Sequence, residues 1–448
     1  MNAFYDASRY FRTRRTKAQL FATRQHVNVS AAAFHGPGRP KHAVIDSSLF
    51  STTMPDRKIV IIGGGIIGST TAYYLTRHPR FVDSAVSVTL LEASSQGVAQ
   101  GASGKAGGLV AKWAYPKEIV GVSFDEHVKL AKEHGGSERW GWRFVETGSW
   151  EGRGEPASGS APATHTREKS LEKTLGLSGA AARKQKGLPD DLLWVKEHLT
   201  DSYSPMAPTG ATAQVHPYLF TTSMLDLAKE KGLQLKIGCT ATEILKSGDK
   251  VTGVEYTDAN GSGTIPATDV IISAGAWSPN ILPSLPIVGT RAHSIVIRTP
   301  PTQAIAPYVL FTEITGLGRG VNTPEIYARP DGTVYACGPG DDSPLPANVD
   351  DVVVESAACD VLLRNVSAIS DELREGVVEK RQACFLPVVS VGGGPIIGQA
   401  SPGLYIATGH TCWGISNAPG TAKAMSELVL DGKVRCANLK SLQPSRFL

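Results

Sequence analysis

The chain has 448 residues and a mass of 47.4 kDa, enough for two or three domains and a large core, which excludes a mini-protein held by cross-links. Hydrophobic residues make up 41% and charged residues 19%, with a net charge of +4, so neither a disordered chain nor an electrostatic binder of nucleic acid is expected. No stretch approaches the roughly 20 apolar residues of a membrane-spanning helix; the longest, 59–67, is broken by three glycines. Cys239, Cys337, Cys359, Cys384, Cys412 and Cys436 show no metal-ligand spacing and no disulfide framework, so no metal is expected and a reducing compartment fits.

The first 45 residues carry Arg9, Arg12, Arg14, Arg15, Lys17, Arg24, Arg39 and Lys41 against Asp6, and residues 1–55 are set apart from the fold. This is the composition of a mitochondrial presequence or of a basic arm, and Met54 stands directly before the first convincing strand. The run at 57–62 reads as a strand buried on both faces, 66–77 as a helix stopped by His78-Pro79, and 86–91 as a second buried strand ending at Glu92. Together they form a βαβ unit of a parallel sheet. Residues 149–190 are rich in Gly, Ser, Pro, Ala and charge, and read as a low-complexity insertion, mostly surface loop with a helix near 168–175. A helix at 222–231, a strand at 233–238, a meander over 241–257 and a buried strand at 269–273 follow. Strand-like pieces at 294–298, 325–329 and 333–337 and an amphipathic helical stretch at 351–366 suggest a largely antiparallel second layer. A strand at 404–407 and a helix at 417–430, closed by Asp431-Gly432, return to α/β character. The expectation is an α/β fold, α+β overall. A discontinuous doubly wound nucleotide-binding domain (56–125, 211–288, 383–435) would face a second, largely antiparallel β domain (126–210, 289–382), with a tail at 436–448.

Glycine, at 47 residues, exceeds the ~7% of average proteins, and three clusters account for the chemistry. Gly63-Gly64-Gly65-Ile66-Ile67-Gly68 is a G-x-G-x-x-G between a strand and a helix. Gly63 makes the turn, Gly65 admits a pyrophosphate, and Gly68 lets helix and strand approach. Glu92 would accept from the ribose hydroxyls, and the following Ala93-Ser94-Ser95 offers no arginine for a 2′-phosphate, which argues against NADP. Gly101–Gly108, containing Ser103, Gly104, Lys105 and Ala106, suits backbone contact with a flat aromatic group. Gly409-His410-Thr411-Cys412-Trp413-Gly414 sets a helix start where anionic charge would be stabilised.

In this order, and with Ala274-Gly275-Ala276-Trp277-Ser278, these segments resemble the D-amino-acid oxidase superfamily of FAD-dependent oxidoreductases over about residues 58–432. Ala102–Gly108 and Gly409–Gly414 most resemble a fungal group of oxidoreductases, one yeast member of which is linked to endosome-to-Golgi traffic. The resemblance implies FAD held by Gly63, Gly64, Gly65, Ile66, Ile67, Gly68, Glu92 and Ala93. Ser103, Gly104, Lys105 and Ala106 would line the flavin, Gly275 and Trp277 would close over the pyrophosphate, and Gly409, His410 and Gly414 would meet the pyrimidine edge. Cys384 stands where some relatives attach flavin covalently, although a buried apolar thiol is the commoner fate of cysteine and non-covalent FAD is the expectation. Lys105 and His410 are the catalytic candidates, and Arg291, Arg329 and Arg381 the candidates for a substrate carboxylate.

The activity so implied is oxidation of a C–N bond in an amine or amino acid by hydride transfer to flavin N5, with O2 or another acceptor reoxidising the cofactor. One alternative is a flavin-fold protein acting mainly as a binding factor in endosome-to-Golgi traffic; another is an NAD-dependent dehydrogenase. Cytoplasm with endosome association is the expected location, or mitochondria if 1–53 is a presequence. The oligomeric state is left open.

Overall fold

In the computed structural model, the described residues are 57–82, 85–155, 183–301 and 305–448. The basic arm at 1–55 and the helix expected at 168–175 lie outside them. The β-branched run Arg57–Ile62 is the centre of a six-stranded sheet ordered Ile396–Ser401, Leu404–Thr408, Asp269–Ile272, Arg57–Ile62, Val86–Glu92, Gln234–Ile237. All neighbours pair in parallel except the edge strand Ile396–Ser401, which is antiparallel to Leu404–Thr408.

Alternation along the central strand explains its uninterrupted hydrophobicity. Ile59 and Ile61 enter a core shared with the helices Ile66–Thr76, Lys117–His134, Pro217–Lys229 and Gly414–Asp431. Val60 and Ile62 enter a second core under the antiparallel meander Thr240–Ser247, Lys250–Asp258, Gly261–Pro266. Each such fully buried side chain contributes about 1.5–3 kcal/mol. The two faces of the sheet are thus covered by different layers, helices on one and a small sheet on the other.

A seven-stranded sheet stands beside this core, in the order Val377–Val389, Ile287–Arg298, Thr333–Cys337, Glu325–Ala328, Tyr308–Thr315, Glu146–Arg153, Thr200–Pro205. Its pairings are antiparallel except Tyr308–Thr315 with Glu146–Arg153. One face, carrying Ile295, Ile297, Leu310 and Ile326, packs under the helix Ser356–Ser367. The other carries Val296, Val309, Tyr327 and Tyr335 and packs against Leu109, Ala111, Trp113 and Trp413.

Several elements differ from the sequence reading. The helix Lys117–His134 and the strand Tyr308–Thr315 were not anticipated. The expected boundaries at 288 and 382 fall inside Ile287–Arg298 and Val377–Val389, two strands paired along their length whose starts and ends reach both cores. The expected insertion begins too early, because 149–153 is strand. Its glycines serve packing: a Cβ on Gly152 would stand 2.3 Å from Leu199 C=O, and Trp150 is fully buried with Nε1 donating to Thr200 Oγ1 at 2.9 Å. Leu188, Leu192 and Trp194 are likewise core residues. The helix expected from 222 begins at Pro217, where His216 accepts from Leu219 N–H and proline occupies the first turn. The tail folds back on the edge strand, with Ile397 N–H donating to Leu442 C=O at 2.8 Å.

Candidate active site

Three chain segments meet at the carboxyl ends of the parallel strands. Gly63 leaves the first strand with φ +105°, and its N–H donates to Leu91 C=O at 2.8 Å. Gly65 then caps the helix Ile66–Thr76 without contributing a side chain, and the first turn carries no acid. A Cβ on Gly68 would lie 2.0 Å from Gly63 C=O, so the helix can approach the strand this closely only with glycine there. Ser103, from the second glycine cluster, accepts from Ile66 N–H at 2.8 Å and joins that cluster to the helix start.

Glu92, at the end of the second strand, is buried and accepts from Gly64 N–H at 2.7 Å and Ser94 N–H at 2.8 Å. Burial pushes its carboxyl above the usual range, while the same N–H groups pull it back. Asp350 lies close by and takes hydrogen bonds from Ser94 and Ser95; these outweigh its burial and hold it below the usual aspartate range. Ala93 C=O accepts from Asn348 Nδ2 at 3.4 Å. Gly275 has open space where a Cβ would project, and Trp277 Nε1 donates to Pro346 C=O at 2.8 Å.

Lys105 Nζ donates to Ala383 C=O at 3.1 Å, beside Cys384, and burial draws its ammonium below the ordinary lysine range against the pull of Cys384 and Asp350. Cys384 is buried, which pushes its thiol up to about 11 despite Lys105. His410 is buried and neutral, since burial lowers it to about 3, and its Nε2 meets Thr421 Oγ1 at 3.0 Å. The imidazole therefore ties the Gly409–Gly414 turn to the long helix behind it. Thr411 holds φ +52° in that turn, an uncommon conformation for a β-branched residue.

Strand register sorts the arginines. Paired residues share a face, so Arg381, opposite Ile295, lies on the helix-covered face and binds Asp360 at 2.8 Å. Arg291 shares that face and is committed to Asp341 at 3.1 Å and to Glu355. Arg329 alone of the three follows the opposite face. It is buried, donates through Nη2 to Ala106 C=O at 3.1 Å, lies over Tyr335, and borders a cleft of about 720 Å3 with Arg143, Arg298 and Asp331.

Sequence reasoning missed the wall these segments face. Glu325, Tyr327, Tyr335 and Cys337 align on one face of the second sheet. Tyr327 donates to Glu325 Oε2, and its ring lies where a Cβ on Gly107 would reach within 2.8 Å, fixing it against the second glycine cluster. Trp413, from the third cluster, packs edge-on against Trp113 at 5.7 Å and Tyr115 at 5.4 Å. Cys412, in the same turn, keeps accessible surface, while the protein around it pushes its thiol up to about 12. The missed residues carry no motif; the available signal was the alternation Glu325, Tyr327, Arg329 along a short strand.

A helix start whose own N-cap residue is glycine, a glycine turn and a buried acid at the end of the next strand fit the ADP half of a dinucleotide. The comparisons agree with that class. The chain belongs to the FAD dependent oxidoreductase family DAO, whose model matches residues 58–428. It is 33% identical to TDA3 of Saccharomyces cerevisiae, named as an oxidoreductase, over 87% of this chain and 95% of that protein. It is 25% identical to the D-amino acid dehydrogenase of Cereibacter sphaeroides over 48% of this chain and 46% of that protein. Its fold is similar to that of glycine oxidase from Bacillus cereus, with TM-score 0.64 and 20% identity over 86% of this chain and 98% of that one.

Proposed function

We propose that this FAD-dependent oxidoreductase oxidises the C–N bond of an amine or amino acid. The observation that carries the reading is the meeting of three distant glycine segments with a buried acid and aromatic wall from the second sheet. The similarity to a D-amino acid dehydrogenase, named for a C–N substrate, supports the same class. FAD, when bound, supplies a two-electron acceptor for a hydride leaving the carbon next to nitrogen.

The chain's own residues do the positioning. The N–H groups at the start of Ile66–Thr76 would receive the phosphates, Glu92 the ribose hydroxyls, and residues 103–106 would line the ring. Lys105, held at Ala383 C=O, places positive charge beside that lining. Neutral His410 acts as a positioning residue for the third turn and not as an acid. Trp413, Trp113 and Phe311 exclude water from the facing wall.

We further propose that FAD is held without a covalent bond: the Cys384 thiol is buried and stays protonated at neutral pH, which disfavours it as a nucleophile. Acid precipitation tests this, and a colourless pellet is the expected result. The activity itself is tested by exposing the purified protein to amine and amino-acid pools without oxygen. Bleaching of the flavin bands is expected, and no bleaching with any pool would overturn the assignment.

A further inference from the structure

Glu325 is a buried-wall carboxyl with an unusual set of neighbours. Its Oε2 accepts from Tyr327 OH and, at 3.9 Å, from Cys337 Sγ, while Oε1 receives no hydrogen bond among the described residues. No lysine, arginine or histidine among them pairs with it, yet the side chain keeps some accessible surface. The adjoining strand places Phe311 directly opposite Glu325, and Phe311 continues through Trp113 at 6.2 Å to Trp413. An enclosed carboxylate without a cation is costly, and a ring of aromatic faces favours one. The partner this site lacks is a positively charged group on a ligand.

A carboxylate on that ligand, beside its nitrogen, would have to sit next to Glu325, with which no cation of the described residues pairs. Lys105 is directed at Ala383 C=O, while Arg291 and Arg381 lie on the opposite face of the sheet. Arg329 stands four residues further along the strand, roughly 13 Å of backbone at ~3.3 Å per residue, with Nη2 held at Ala106 C=O and Nε without a partner among the described residues. The anion would instead lie against Glu325, where like charges repel.

We propose that Glu325 anchors the cationic amino group of the substrate within this aromatic wall, and that the enzyme selects amines lacking a carboxylate next to the nitrogen. The proposal rests on the C–N oxidation assigned above and narrows it. The ammonium binds as a cation donating to Glu325 Oε1, and ahead of oxidation it passes that N–H proton to the same oxygen, leaving a neutral amine and a protonated carboxyl; no electrons move in that step. Burial pushes the Glu325 carboxyl above the usual carboxylate range, which favours its taking up such a proton, with Tyr327 on its own strand, Cys337 on the next and Cys412 from the facing turn as the titratable groups around it.

The test uses the full-length protein with FAD bound and three probes without hydrogen on the carbon bearing the polar group: tert-butylamine, tert-butanol and 2-aminoisobutyrate. Binding is read from the shift of the flavin absorbance bands. tert-Butylammonium should bind about 10-fold or more tightly than 2-aminoisobutyrate, and Glu325→Gln should weaken it by a similar factor without changing tert-butanol binding or FAD content. Glu325→Asp should keep the preference for the cation. Equal binding of tert-butylammonium to wild type and Glu325→Gln, tighter binding of 2-aminoisobutyrate, or no binding of the ammonium overturns the proposal; the wild-type comparison decides it even if the variant loses FAD. Ammonium binding without turnover of any amine would sink the assigned reaction and leave the anchor standing, whereas oxidation of amino acids alone would do the reverse.

Discussion

Replacing Gly68 by alanine tests the fingerprint most sharply, because the same chemical change elsewhere in this chain has the opposite sign. A Cβ at 68 would stand 2.0 Å from Gly63 C=O and 2.8 Å from Ser273 Oγ. The oxygen is main chain in the turn that Gly63 makes at φ +105°, so it has no rotamer through which to retreat. Helix and strand must separate by more than an ångström, which places the cost at the upper end of overpacking, about 3 kcal/mol or more. The separation also pulls the helix start away from the turn, so FAD is lost along with stability. Gly121 lies exposed in the helix Lys117–His134 with nothing within 4 Å of a new Cβ, and Gly121→Ala should stabilise by about 0.5–1 kcal/mol through helix propensity. Urea unfolding and the flavin content of purified protein measure both effects. If Gly68→Ala kept its FAD and unfolded at the wild-type midpoint, the close approach at the turn would not be what the fold requires.

Three further outcomes follow from the same geometry. Ser103→Ala removes the acceptor for Ile66 N–H and should cost about 1 kcal/mol, read by urea unfolding; an unchanged midpoint would mean the bond is dispensable. Arg381→Ala should leave the KM of whichever amine proves to be substrate within about 2-fold, since the surface pair with Asp360 lies on the helix-covered face and such pairs contribute about 0–1 kcal/mol. A large rise in KM would return Arg381 to the site. His127, neutral because burial lowers it to about 4, binds a proton in the unfolded chain below pH ~6.5 but not in the native one. Its contribution is present above that pH and is lost as pH falls toward 4, at about 1.4 kcal/mol per pH unit. His127→Gln should flatten the loss of stability between pH 6.5 and 4 by that slope, and an identical slope in both proteins would refute the linkage.

The glycine turn and the acid beside it were readable because their constraints are local. Gly63, Gly65 and Gly68 lie within one turn, and Glu92 ends the next strand, so spacing alone carries the geometry. The facing wall was not readable for the opposite reason. Glu325 meets Phe311 and Cys337 through register, and Cys412 through a turn more than eighty residues away, with no spacing rule to connect them. The arginine candidates could be sorted only after pairing placed Arg381 opposite Ile295. Gly152 and Gly154 read as low complexity because composition does not distinguish a flexible glycine from one that makes room for Leu199 C=O or for the Leu317 side chain. The helix Lys117–His134 did carry a signal: Ile119, Val120, Phe124, His127, Leu130 and Ala131 form its buried stripe, interleaved with enough charge to obscure it.

The central claim is that this chain uses bound FAD to oxidise a C–N bond. It is tested most directly by the visible absorbance spectrum of the purified protein before and after anaerobic addition of an amine pool. The account predicts flavin bands that bleach on addition. A protein carrying flavin that no amine or amino acid reduces would contradict the assigned reaction, and one that neither contains nor takes up FAD would contradict the reading of the site itself.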